Sequence, residues 1–253
     1  MAISNVPEIV PKDVRSYMTF LSRDKRYQTE KPYATDFPVD EIDDAKMTNH
    51  IFDTRPVIFH DARASKETFT LDQNGFCFIE AKTSLQAEDA TSERTEIMEQ
   101  YMQEIVGILR TNLPQYQEIK AMDFQVRKRH QTFPNGEERR AEFAQPSTMA
   151  HTDFSARGAF LRMADIFPDQ TSYYQNRKFD LINLINAEKD VTTNDALHYK
   201  RVGENSLLHH DEAHRWYYLS DMRENDLIVF RNVDSEGDMP RKLFELFVMP
   251  NLD

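Results

Sequence analysis

Cysteine is nearly absent: Cys77 is the single one in 253 residues. That excludes an intrachain disulfide framework and a cysteine-rich zinc site. Flanked by Phe76 and Phe78, Cys77 reads as a small packed residue rather than a nucleophile. Glycine is scarce, at 6 residues, and neither GxGxxG nor GxxxxGKS/T occurs, so glycine-rich phosphate loops are excluded. Positive charge is short as well. Lys and Arg number 31 against 43 Asp and Glu, and the net charge of −12 has the wrong sign for a nucleic-acid binder. No apolar run reaches the roughly 18 residues a membrane span needs. The N-terminus lacks the basic-then-apolar pattern of a signal peptide. The expectation is a soluble, cytoplasmic protein with neither nucleic acid nor membrane as partner.

What is present supports a fold. Hydrophobic residues make up 40 % of the chain, enough for a substantial core. The length suits one domain over 1–253 with an N-terminal extension. Val14 to Leu21 looks strand-like or briefly helical, and the acidic run Asp40, Glu41, Asp43, Asp44 reads as a solvated loop. Pro56 to Arg63 reads as a strand ending in a turn. Gln73-Asn74-Gly75 is a turn before the buried-strand run Phe76 to Ile79.

The clearest helix is 92–110, where Ile97, Tyr101, Ile105 and Leu109 recur every four residues against Glu96, Glu99, Gln100 and Gln103. That spacing predicts a stripe buried against a sheet. Met122 to His130 alternates like a half-buried strand. Ala156 to Phe167 reads as a short helix. Phe179 to Ile185, His214 to Leu219, Leu227 to Arg231 and Leu243 to Met249 read as strands. Residues 188–213 are polar and carry no clear period.

The stretch Ala150-His151-Thr152-Asp153-Phe154-Ser155 carries most of the chemistry. His151 and Asp153 are two apart, so on a strand they share a face. An imidazole and a carboxylate there make two thirds of the 2-His-1-carboxylate triad that holds non-haem Fe(II). Alone, HxD is a weak signal. Arg127 and Arg129 share a strand face and either can reach a pocket, with a solvated pair as the alternative. His214, Trp216 and Tyr218 also share a face, and read as core or pocket wall.

Several stretches together resemble one family. They are VIFHDAR (57–63), FTLDQNGFCFIEAKTS (69–84), FQVRKRH (124–130), AHTDFSARGA (150–159), HRWYYLSDM (214–222) and NDLIVFRNVDS (225–235). They are similar to the fungal asaB-like hydroxylase/desaturase family of Fe(II)/2-oxoglutarate-type proteins, which includes gibberellin desaturase. The resemblance implies an α+β, β-rich fold: a double-stranded β-helix (jelly-roll, cupin-like) core with flanking helices. It implies fungal secondary metabolism and small organic substrates. It also implies a His after the DS segment as third iron ligand, and a later strand with an Arg for the 2-oxoglutarate carboxylate. Here Asp234-Ser235-Glu236-Gly237-Asp238-Met239-Pro240 runs straight into RKLFELF. No His follows His214, and Phe247 stands where the final Arg belongs.

The expectation is therefore a pocket that has lost its redox centre. With no third ligand, no metal and no cofactor is expected; if a metal is bound, His151 and Asp153 hold it. The catalytic candidates are His151, Asp153 and Arg127. The substrate-binding candidates are Trp216, Tyr218, His214 and Phe154. The expected reaction is dehydration or cyclisation of an apolar intermediate, of hetero-Diels–Alder type. Holding reacting centres in place can contribute up to ~7–11 kcal/mol. The alternatives are an active Fe(II)/2-oxoglutarate hydroxylase or desaturase, and a non-catalytic binding paralogue. A homodimer is left open.

Overall fold

The computed structural model describes residues 12–85, 95–122, 131, 147–175, 177–182, 191–198, 201–223 and 225–236. In chain order the strands and helices are β1 (Val14–Leu21), β2 (Tyr33–Thr35), β3 (Phe52–Asp61), α1 (Leu71–Asn74), β4 (Phe76–Glu80), α2 (Thr95–Asn112), β5 (His151–Thr152), α3 (Ala156–Ile166), α4 (Thr171–Gln175), β6 (Asp180–Leu181), β7 (Val191–His198), β8 (Arg201–Leu208), β9 (Trp216–Tyr218), β10 (Asp226–Phe230) and β11 (Val233–Asp234). The chain is α+β and rich in strands. It divides into two compact units. The first comprises 1–78, 149–222 and 228–253, and the second 79–148 and 223–227.

The first unit is built on two sheets. One has the order β1-β3-β9 and the other β2-β7-β8-β5. β1 alternates: Val14, Met18 and Phe20 pack inward, while Arg15 and Tyr17 are exposed. It pairs antiparallel with β3, from Val14 opposite Phe59 to Leu21 opposite Phe52. Pro56 sits inside β3 without an amide hydrogen. It is tolerated because β9 pairs with β3 only over Phe59–Asp61. Met18, Phe20, Val57, Phe59, Trp216 and Tyr218 form one buried cluster, which Ala150 and Leu208 complete from the other sheet. Ala150 is the hinge between the sheets: its amide donates to Thr19 O at 2.8 Å, and its carbonyl accepts from Leu208 N at 3.0 Å.

The polar stretch 188–213 contains a long antiparallel pair. β7 and β8 are in register from Val191 opposite Leu208 to His198 opposite Arg201. Local composition hid it, because Asn, Asp and Glu are poor strand formers and the ladder, not propensity, holds them. His209 and His210 follow β8 in a loop. His209 is buried, with Nδ1 2.7 Å from Leu21 O, which ties that loop to β1.

Three ionic clasps lock the stretches that resemble the family. Asp61 Oδ1 accepts from Arg63 N at 3.0 Å and Ser220 N at 3.1 Å, while Arg63 Nε donates to Ser220 O at 2.8 Å. Burial pushes the Asp61 carboxyl up, but the amide and hydroxyl donors outweigh it and hold it below its ordinary value. Arg231, 1 % exposed, donates to Asp180 Oδ2 at 2.7 Å, Asp72 Oδ1 at 3.1 Å and Leu71 O at 3.1 Å. The third clasp, at Glu204, belongs to the site. Asn74-Gly75 closes the single helical turn of α1: Thr70 caps it, and Gly75 takes a left-handed φ of 75°.

In the second unit α2 runs Thr95–Asn112 and ends before Pro114. Its buried position is Val106, at 5 % exposed, with Leu113 just beyond the helix. Ile97, Tyr101 and Ile105 are half-buried rather than buried. The stripe therefore turns its most protected point one residue past Ile105. No helix among the described residues is long and apolar enough to cross a membrane. Residues 123–130, 183–185 and 243–249, with the strands expected there and Arg127, lie outside the described residues.

Candidate functional site

His151 and Thr152 form the short strand β5, paired with Leu207 and Ser206 of β8. Ala150 and Thr152 are buried, so His151 projects to the opposite face, and its side chain is 21 % exposed. Nδ1 lies 2.9 Å from Met149 O. A carbonyl only accepts, so Nδ1 carries a proton and Nε2 is the basic nitrogen. Nε2 lies 3.3 Å from Asp153 Oδ1. A proton taken up at Nε2 converts a lone pair facing a carboxylate into an imidazolium–carboxylate pair. The carboxylate thereby stabilises the protonated imidazole.

The strand ends at Thr152, so Asp153 is brought to His151 by the turn that follows and not by strand alternation. Thr152 Oγ1 donates to Phe154 O at 2.8 Å, which shapes that turn. Ser155 then fixes its far end. The Ser155 amide donates to Glu204 O at 3.1 Å, and its hydroxyl donates to the Glu204 carboxylate. The same Oγ accepts from Gly158 N at 3.0 Å and so caps α3. Lys31 Nζ donates to Glu204 Oε2 at 2.6 Å. Burial pushes the Glu204 carboxyl up, yet the Lys31 and Ser155 bonds outweigh it and hold it below its ordinary value. β8 therefore grips the loop twice, through the ladder at 151–152 and through Glu204 at 155.

The other sequence-derived residues divide. His214 is half-buried and meets the Trp216 ring edge-on, at 5.7 Å and 88°. Trp216 and Tyr218 are 3 % and 8 % exposed, in the packed cluster behind Ala150. The Tyr218 hydroxyl donates to Lys12 O. Phe154 is half-buried beside Asp153. Of the substrate-wall candidates, His214 and Phe154 are thus the two that keep an accessible surface. Sequence reasoning missed Glu204 and Lys31, which lie 173 residues apart and carry no local signal. Ser155 was missed too, although a serine before the helical run Ala156 to Phe167 is a cap signal.

The donor set tests the metal expected from the resemblance. His151 has the backbone-anchored Nδ1 usual for a metal-ligating histidine, and Asp153 is beside it. Among the described residues, no group of three or more His, Cys, Asp or Glu stands close enough to hold a metal ion. As described, the set does not complete a facial triad, and no step is derived through iron.

Comparison with known proteins gives two findings. The family described as oxidoreductase/YMDC permease-like domain matches residues 18–187 and 184–245. No curated protein matches. Among solved structures, a single-residue variant of the iron and alpha-ketoglutarate-dependent endoperoxidase NvfI is similar at a TM-score of 0.72. It has 22 % identity, over 91 % of this chain and 87 % of that chain. NvfI itself is similar at 0.65, with 19 % identity over 91 % and 87 %. At these identities the likeness shows a shared fold.

Proposed function

We propose that this chain, which belongs to the oxidoreductase/YMDC permease-like domain family, is a biosynthetic enzyme that uses an oxygenase-type jelly-roll pocket for non-redox chemistry. The reaction is dehydration or cyclisation, of hetero-Diels–Alder type, on a small apolar intermediate of fungal secondary metabolism. The observation that carries this reading is the His151–Asp153 pair: a basic Nε2 with a carboxylate 3.3 Å away, and no histidine in the sequence after His214 to complete an iron site. In this reading His151 moves the proton and Asp153 steadies the imidazolium. Arg127 lies outside the described residues, while His214 and Phe154 contact the apolar body of the substrate. Trp216 and Tyr218 hold the sheet behind the pair. Orientation does most of the work, because the redox step belongs to a cofactor.

A second reading has a specific observation in its favour. The similar structures are titled iron and alpha-ketoglutarate-dependent, and His151 Nε2 with Asp153 Oδ1 makes a two-point grip that a ferrous ion accepts. In that reading the chain is a hydroxylase or desaturase. One experiment separates the two. The purified protein is supplied with Fe(II), 2-oxoglutarate, ascorbate and oxygen, and an extract holding the uncyclised intermediate; succinate and product are both measured, with and without chelator. The proposal expects product without succinate, unaffected by chelator. Succinate formed in step with product, and stopped by chelator, establishes the oxygenase instead.

A further inference from the structure

We propose that the open cleft beside α3 seats an organic anion with an aromatic body. Neither His151 nor Asp153 lines the cleft, so this binding site is separate from the pair and goes beyond the reaction proposed above. The cleft encloses about 750 Å³, inside the ~300–1,000 Å³ range of small-molecule sites. Its wall begins at Ala156, three residues along the chain from Asp153.

Three half-buried rings supply the apolar surface: Phe160 from α3, Tyr174 from α4, and Phe179. None is loose. The Tyr174 hydroxyl donates to Gln170 Oε1 at 3.1 Å. The Phe179 amide donates to Ser235 Oγ at 2.9 Å, and its carbonyl accepts from Ser235 N at 3.1 Å. Rings fixed in this way present π-faces at little entropic cost.

Charge decides the rest. The lining holds two cations, Arg177 and Lys178, against one carboxylate, Glu236. Lys178 and Glu236 pair with each other, which among the described residues of the lining leaves Arg177 as the cation with no carboxylate opposite it. This is a local excess of positive charge in a chain of net −12. The Arg177 guanidinium lies 4.2 Å above the Tyr173 ring. Stacking occupies its face and leaves its N–H edge for a planar acceptor, the geometry that suits a carboxylate or an acidic phenol.

The test uses binding, not turnover, so it stands apart from the reaction proposed above. The full chain is titrated with 1-naphthoate and with the neutral 1-naphthamide by NMR. Naphthoate is expected to bind in the millimolar range and about 1.5- to fivefold tighter than the amide, the span open to an exposed ion pair. Arg177→Gln should abolish that preference while keeping amide binding, and Phe160→Ala should weaken both. Chemical-shift changes on the wild type should centre on Phe160, Tyr174 and Phe179, a readout that survives if a variant fails to fold. Equal affinity for acid and amide, shifts centred elsewhere, or an unchanged preference in folded Arg177→Gln each overturn the inference. If naphthoate binds as expected while His151→Ala turns over normally, the cleft stands and the catalytic reading falls.

Discussion

A Cβ on Gly158 would lie 1.8 Å from the carbonyl oxygen of Glu204. The close approach is what lets Ser155 reach the Glu204 backbone and carboxylate together, and it sets where the loop carrying Asp153 ends. Two effects oppose each other at this position. Alanine is the better helix former by about 1 kcal/mol, but the clash is with backbone and cannot be relieved by a rotamer change. The clash wins. Gly158→Ala is expected to destabilise by at least ~2 kcal/mol, in the range of overpacked sites, and urea unfolding checks it. A neutral or stabilising result would mean that α3 shifts freely on β8.

The Glu204 carboxyl also sets an acid limit. Its folded-state pKa is depressed, so it contributes stability above its unfolded value of about 4.5 and loses that contribution as pH falls through the lower folded value. Thermal unfolding followed from about pH 6 to pH 3 should show a fall in Tm across the acid end of that window. Glu204→Gln should flatten that part of the curve. An identical slope in the variant would show that other carboxylates carry the acid response.

In α2 the burial ranks two neighbours. Val106→Ala removes two methyl groups from a position 5 % exposed, and is expected to cost about 2 kcal/mol. Ile105→Ala, at a half-buried position, should cost nearer ~1 kcal/mol, between surface and core ranges. Denaturant midpoints of the two variants test the order. A reversed order would place the protected face on the Ile97, Tyr101, Ile105 stripe after all.

The Arg231 clasp predicts a sharper loss. Replacing a guanidinium that is 1 % exposed removes that donor from Asp180, which is 13 % exposed, whereas Asp72, 55 % exposed, stays hydrated. Arg231→Met should cost about 3–5 kcal/mol, as when one half of a buried pair is removed. A loss under about 1 kcal/mol would mean that water replaces the guanidinium at little cost.

At the site, His151→Ala should lower the proposed cyclisation or dehydration by ~10²–10⁴, the usual worth of an acid–base group. The loss should be the same with chelator and without. Asp153→Asn keeps the shape but removes the counter-ion, and should act on kcat more than on KM. A wild-type rate for His151→Ala would place the chemistry elsewhere in the pocket.

The sequence by itself determined the local elements whose cause is local. Four-residue spacing specifies α2, because side-chain direction follows the backbone period. The turn at Asn74-Gly75 was legible from its residue types, whereas Val14 to Leu21 read as strand or short helix until pairing with β3 decided it. His151 and Asp153 could be named together from their spacing and the resemblance. The reason for their meeting was not legible: β5 stops at Thr152, and a turn, not a strand, carries the carboxylate to the imidazole. Only the tertiary structure decided which charged residues are clasps. Asp61 with Ser220, Arg231 with Asp72, and Lys31 with Glu204 are pairs more than 150 residues apart, and no window of sequence holds both partners. The pair β7–β8 was hidden likewise, since its polar residues are strand only because the facing strand satisfies their backbone. Burial of Trp216 behind Ala150 was also decided there, where two sheets converge on one small side chain: a strand pattern tells which residues share a face, and packing tells what that face meets.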